Sequence, residues 1–286
     1  MIEYLNHLCY FHHSLKVIER YTKYKMNRID LFEFEDLPWF PDWIRTCVTR
    51  LIVVMHKLLN TSDDLVPLIK KALNHSKNQH IIDLCSGSGG PMISVYNELI
   101  EKHGFKDLKL TLTDLYPNLE LASKINTPDR PNLSYSTSPV DAANVPAELT
   151  GIRTMIGSFH HMKPDIARKI LKDARDRQVP ICIYEISDNG FPTFLWWATL
   201  PILFLMALFI TPFVMPLTWK QIVFTYIIPI IPFVFAWDGS ISNARTYNLK
   251  DLNILLNGLG GEDYIWEMGK ISERGNKVYL LGVPKQ

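Results

Sequence analysis

The 47 residues from Phe191 to Trp237 carry one charge, Lys220, in a chain whose charged fraction of 21% would place about ten there. The other 239 residues hold the remaining 58 charges. A block this apolar must face lipid, another protein surface or a deep core, and it interrupts a sequence that is otherwise ordinary. Phe194 to Met215, about 22 residues, is roughly 33 Å as a helix, and Gln221 to Trp237, about 17 residues, is roughly 25 Å. Both suit a bilayer core of roughly 30 Å, the second marginally. Pro216 to Lys220 makes a tip, with Trp219 there and Trp196, Trp197 and Trp237 at the base, as aromatics distribute between two interfaces. Pro201, Pro212, Pro229 and Pro232 should kink these helices. The block is therefore expected to be an apolar helical hairpin that embeds in a membrane. A soluble lid or dimer interface burying an apolar substrate is the competing expectation.

Composition narrows the classes further. The chain has 286 residues, 47% hydrophobic, which is ordinary for a folded protein and excludes disorder, collagen-like repeats and coiled coil. A net charge of +1 provides no field to gather nucleic acid. Cys9, Cys47, Cys85 and Cys182 lack C-x-x-C spacing, which argues against a disulfide framework or zinc site and fits a reducing compartment. His7, His12 and His13 have no acidic or cysteine partner at helix-compatible spacing, so no metal is expected.

Along the chain, Met1 to Tyr24 reads as an aromatic-rich helix and not as a signal peptide, because Glu3, Glu19 and three histidines interrupt any apolar run. Leu31 to Pro41 is irregular, since Pro38 and Pro41 forbid a continuous helix. Ile44, Cys47, Val48, Leu51, Met55 and Leu58 then recur at helical spacing to about Asn60, and a shorter helix runs over about Asp63 to Asn74. Residues 1–78 form a helical cap in this reading. From His80 short apolar runs alternate with amphipathic stretches. Strands are expected at Ile81 to Leu84, Leu108 to Thr113, Leu133 to Ser136, Ile152 to Gly157, Val179 to Ile186, Tyr264 to Ile271 and Lys277 to Val283. Helices are expected after Pro91, over Pro164 to Arg177 and after Asn248. That alternation predicts an α/β fold with a mostly parallel sheet, whose ligand sites open at the strands' carboxyl ends.

The first strand ends in Asp83-Leu-Cys-Ser-Gly-Ser-Gly-Gly-Pro91. Glycines after a strand let the backbone turn tightly and approach a ligand. A dinucleotide fingerprint needs a third glycine where this chain has Met92, so an NAD-type reductase is disfavoured. Ser86 and Ser88 do not have the glycine spacing of a nucleophile elbow. The stretch resembles motif I of the class I S-adenosylmethionine-dependent methyltransferases, acidic-x-G-x-G-x-G, with Cys85 in place of the first glycine. Thr111-Leu-Thr-Asp114, Ser138-Pro-Val-Asp-Ala142 and Gly157-Ser-Phe-His-His-Met162 resemble the family's later motifs, in the family's order.

The resemblance covers about residues 79–189 and 246–286. It implies a Rossmann-like, mostly parallel seven-stranded sheet with helices on both faces, the hairpin of residues 191–237 being inserted after the fifth strand. The methyltransferase domain is then 79–286. It implies S-adenosyl-L-methionine as cofactor, held by Asp83, Cys85, Ser86, Gly87 and Gly89 in the turn. Asp114 and Leu115 would meet the ribose, Asp141 and Ala142 the adenine, and Gly157 the methyl end. His160, His161 and Glu185 stand as candidate bases at strand ends, since an acceptor hydroxyl must lose a proton. Phe34-Glu-Asp-Leu-Pro-Trp-Phe-Pro41, of the type E-x-x-D-x-P-W-F-P, and Ala236-Trp-Asp-Gly-Ser-Ile-Ser-Asn-Ala-Arg-Thr-Tyr247 resemble stretches of a bacterial subgroup. Trp39, Phe40, Tyr184, Trp237, Asp238 and Arg245 are the expected substrate walls, Arg245 either clamping an acidic group or pairing Asp238. The expected function is methyl transfer to a lipid-like or amphipathic small molecule, with the enzyme on the cytoplasmic face of a membrane, where cofactor is supplied. A non-catalytic cofactor-binding subunit anchored to a membrane partner is the alternative, and the oligomeric state stays open.

Overall fold

A computed structural model describes residues 26–190, 192–273 and 275–285. The helix expected within Met1 to Tyr24 lies outside them. The apolar runs form seven strands: β1 (His80–Asp83), β2 (Lys109–Leu112), β3 (Leu133–Tyr135), β4 (Ile152–Ile156), β5 (Ile181–Glu185), β6 (Tyr264–Ile271) and β7 (Lys277–Pro284). They join one sheet in the order β3-β2-β1-β4-β5-β7-β6. β1 to β5 are parallel, and β7 enters antiparallel between β5 and β6. This is the mostly parallel seven-stranded sheet that the sequence implied.

The helices are α1 (Asp42–Leu58), α2 (Thr61–Asn74), α3 (Met92–His103), α4 (Leu119–Ile125), α5 (Pro164–Asp176), α6 (Leu200–Ile210), α7 (Trp219–Tyr226), α8 (Ile230–Arg245) and α9 (Leu249–Leu256). Strand alternation sorts the core into two layers. Ile81, Cys182 and Tyr184 face α2 and α3, while Ile82, Met155 and Ile183 face α5 and α9. Each layer is built from side chains almost wholly removed from water, the dominant favourable contribution to such a fold. α2 therefore covers the sheet as one of its own helices. α1 instead packs through Ile44, Val48 and Leu51 on Ala207, Ile210, Ile231 and Phe235 of the insertion. α4 has too short an apolar period to be found in the sequence and is held by Asn118, whose side chain accepts from the Leu121 N–H.

The insertion follows β5 as expected, but its second arm differs. Instead of one helix over 221–237, α7 and α8 meet at a bend of 79° across residues 227–229. Pro229 supplies no N–H to continue α7, and Pro232 fits the first turn of α8, where none is needed. α8 also runs on to Arg245, past the expected end at Trp237. Phe194–Phe213 is long and apolar enough to cross a membrane, and only 17% of its 18-residue window is buried. Phe194, Phe209, Phe213, Met215 and Ile227 are each more than two-thirds exposed, an apolar surface much beyond that of an ordinary soluble domain.

Register aligns the strand ends. Asp83 lies opposite Leu112 on one side and Thr154 on the other, so the loops after β1, β2 and β4 leave the sheet together. The chain runs outward from β1 to β3 and returns to β4 on the other flank of β1, making the switch point at which such sheets bind ligands. Gly151, just before β4, has φ +152°, and a Cβ there would lie 2.3 Å from the His80 carbonyl oxygen. Gly151→Ala should displace the start of β4 and lower stability by about 2 kcal/mol or more, read as a shifted urea midpoint at unchanged slope.

Candidate active site

The turn after β1 is organised by one buried carboxylate. Asp83 accepts from Ser86 Oγ at 2.6 Å and Thr154 Oγ1 at 2.6 Å, and its carbonyl oxygen accepts from Thr113 Oγ1 at 2.8 Å, so it links β1 to both neighbouring strands. Burial raises its pKa to about 7 against the pull of the Ser86 and Thr154 hydroxyls. The backbone then enters the left-handed region at Cys85 (φ 56°), Gly87 (φ 49°) and Gly89 (φ 91°). Cys85 adopts the conformation that a glycine would take freely, at a cost of about 1–2 kcal/mol. Burial, helped by the charges of Asp114, Asp83 and Asp141, pushes its thiol up to about 12, so it is no nucleophile. A Cβ added at Gly87 or Gly157 would meet nothing within 4 Å, so both backbones border open space.

Asp114, just past β2, accepts from the Gly87 N–H at 2.9 Å through Oδ2 and from the Tyr116 N–H at 2.9 Å through Oδ1. Each oxygen keeps a second lone pair for a ligand. The Asp114 carbonyl accepts from the Val140 N–H at 2.9 Å, joining the next loop. There Asp141 is exposed and accepts from the Ala143 N–H at 2.8 Å, while Ala142 is buried in the α5 layer beneath it. Leu115 stands 45% exposed beside Asp114. The candidate cofactor residues thus gather along the carboxyl ends of β1 to β4. A separate cleft of about 330 Å³, lined by His56, Thr61, Gly90, Pro91 and Ser94, opens between α1, α2 and α3.

Beyond β4, Phe159–His161 forms a single 3-10 turn that brings two imidazoles together, ring centroids 4.2 Å apart. His160 Nδ1 lies 2.8 Å from Glu185 Oε2, and the His160 N–H donates to Glu185 Oε1 at 3.0 Å. Burial opposes charging of this ring, but the Glu185 carboxylate outweighs it and raises the pKa. His161 Nδ1 lies 3.1 Å from Asp36 Oδ1. The two expected histidines and Glu185 therefore form one cluster.

Four of the expected substrate walls are engaged within the protein itself. Tyr184 is fully buried, pointing to the α2 side of the sheet, where its hydroxyl donates to Asp64 at 2.7 Å. Strand alternation puts it opposite its neighbour Glu185. Phe40 is buried between α1 and the insertion. Asp238 accepts from the Phe34 and Glu35 N–H groups at 2.7 and 3.1 Å and so fixes the backbone of the acidic segment. Arg245 pairs with Asp36 at 2.8 Å and Glu33 at 3.0 Å in preference to Asp238. Trp39 is 69% exposed, and Trp237 donates its indole N–H to the Phe32 carbonyl at 3.0 Å.

Glu33, Asp36, Glu35 and Arg28 are site residues that the sequence reading did not single out. Burial, with the charges of Asp238 and Glu33, raises the Glu35 pKa to about 8. Arg28 donates to the carbonyls of His160 and Met162 at 2.8 and 3.2 Å. The signal was present in E-x-x-D-x-P-W-F-P, whose two acids are Glu33 and Asp36. Their partner, the arginine of the second stretch, lies more than two hundred residues away.

No family model matches the chain, and no curated protein matches it. Among solved structures, the plantazolicin methyltransferase BpumL in complex with SAH is similar at 10% identity and TM-score 0.47, over 86% of this chain and 98% of that one. The methyltransferase domain of bacterial CtHen1-C is similar at 14% identity and TM-score 0.46, over 79% of this chain and 98% of that one. The mitomycin 7-O-methyltransferase MmcR gives 12% and 0.44, over 77% of this chain and 53% of that one. Likenesses this distant leave the site to be read from its own geometry.

Because the folded protein holds the Asp83 proton more tightly than the unfolded chain, this carboxyl favours folding at low pH. Its contribution falls as pH rises from about 4 to about 7 and is flat above. Asp83→Asn should lack that loss. Its urea stability relative to the parent should rise across this window by on the order of 3 kcal/mol.

Proposed function

We propose that the protein is a class I methyltransferase that binds S-adenosyl-L-methionine at the ends of β1 to β4 and methylates a small lipid-like or amphipathic acceptor at a membrane. The observation that carries this reading is the arrangement of three aspartates. Asp83 ends β1, and Asp114 and Asp141 follow the parallel strands β2 and β3 beside it, around a turn in which Gly87 borders open space. Buried Asp83 sets the shape of the turn. Asp114 offers its spare lone pairs to paired ribose hydroxyls, and Asp141, with Ala142 beside it, suits an adenine edge and face. Gly157 lets the methyl end approach β4 without an intervening side chain. When bound, the cofactor supplies an electrophilic methyl on a sulfonium, and the chain's contribution is mainly positioning.

His160, His161 and Glu185 serve the acceptor in this reading, because they stand at the ends of the next two strands. Burial of Glu185 and His160 keeps water from that corner of the site. The exposed apolar arms of the insertion support attachment to a membrane and an acceptor that arrives from the lipid. The α/β layers belong on the cytoplasmic side in this reading because the cofactor is supplied there.

Calorimetry with S-adenosylhomocysteine should show one site, and Asp114→Ala should weaken it about tenfold or more at unchanged folding. Labelled methyl from the cofactor should appear in a membrane lipid extract; binding without any transfer would point to a non-catalytic subunit. The protein should also float with phospholipid vesicles in a density gradient. Recovery wholly in the lipid-free fraction would count against membrane attachment.

A further inference from the structure

We propose that Glu33, His160 and His161 form a binding site for a divalent first-row transition-metal ion. Each offers one ligand atom, and the three atoms lie within 4.8 Å of one another. The orientation of both rings is fixed from behind. His160 Nδ1 is held by Glu185 at 2.8 Å and His161 Nδ1 by Asp36 at 3.1 Å, which leaves Nε2 of each ring as the ligand. Metal-binding imidazoles are usually held in this way, by a carboxylate on the other nitrogen. Here both are.

The second observation is an unsatisfied atom. His160 is 6% exposed, yet its buried Nε2 has no hydrogen-bond partner among the described residues. A buried polar atom normally finds a partner. His161 Nε2 stands 3.7 Å from Glu33 Oε2, and Glu33 itself is 1% exposed. Glu33 Oε1, 3.0 Å from Arg245 as an ion pair, is likewise buried without a hydrogen-bond partner among the described residues. Ligand bonds of about 2.0–2.2 Å require the three atoms to draw in to roughly 3–3.5 Å apart.

Charge favours the same occupant. Glu33, Asp36 and Glu185 crowd this corner, and Arg245 is the cation shared by the first two. Two imidazoles and one carboxylate, without thiolate, suit manganese, iron, cobalt or zinc in the divalent state. Three protein ligands also leave positions open for an oxygen of a substrate. The site requires nothing of the nucleoside crevice, so the two readings fail separately.

Full-length protein, stripped with chelator, should bind one equivalent of cobalt(II) by calorimetry, with visible bands of nitrogen and oxygen ligation. Glu33→Gln and His161→Ala should each weaken this at least about 100-fold, and Glu185→Gln about 10–100-fold. Circular dichroism checks the fold. His161 is 29% exposed, so the space left by its truncation opens to solvent, and this variant decides the matter if Glu33→Gln misfolds. Failure to bind one equivalent, or unchanged binding in a folded His161→Ala protein, overturns the proposal. Binding of S-adenosylhomocysteine, measured in parallel without cobalt, should be unaffected by His161→Ala.

Discussion

Arg245 is the charged centre at which three parts of the chain meet. Its guanidinium pairs with Glu33 and Asp36 from the N-terminal segment and stands 3.5 Å from His161 Nδ1 after β4, while its backbone ends the helix that begins inside the apolar insertion. An ion cluster this enclosed is costly to assemble from water, and removal of one partner strands the others. The opposing charges therefore fix the path of residues 30–36, which have little regular structure of their own. Asp238 completes the fixation by taking two backbone N–H groups of that segment.

The fold was legible where local chemistry repeats. All seven strands and the glycine turn fell where apolar runs and punctuation placed them, because strand burial and turn conformation are decided by a few neighbouring residues. Cys85 is instructive, since its substitution for glycine is visible in the sequence but its φ of 56° is not. The break at Pro229 was expected as a kink, though its size follows from how α8 packs on α1 and α6. α4 escaped notice because seven residues make too short a period.

Within the site, the aspartates after β1, β2 and β3 and the histidines after β4 were findable, since the topology of a parallel sheet gathers strand ends. The acids of the N-terminal segment stood out as part of a motif, but not as members of the site. Glu33 and Asp36 acquire a role only through Arg245 and His161, a pairing across the whole chain that no periodicity encodes. Tyr184 and Glu185 show the finer limit. Adjacent on one strand, they face opposite layers, and which of them meets the crevice depends on which side the glycine turn opens.

α8 lies in two surroundings at once. Its first turns, with Phe233 half-exposed, belong to the greasy arm, whereas its last turn delivers Arg245 to the acids and imidazoles. Sixteen residues make a rod of roughly 24 Å. A rod couples its ends mechanically, so a tilt of the exposed arm would carry Arg245, and with it the acids and imidazoles beside β4, along the same axis.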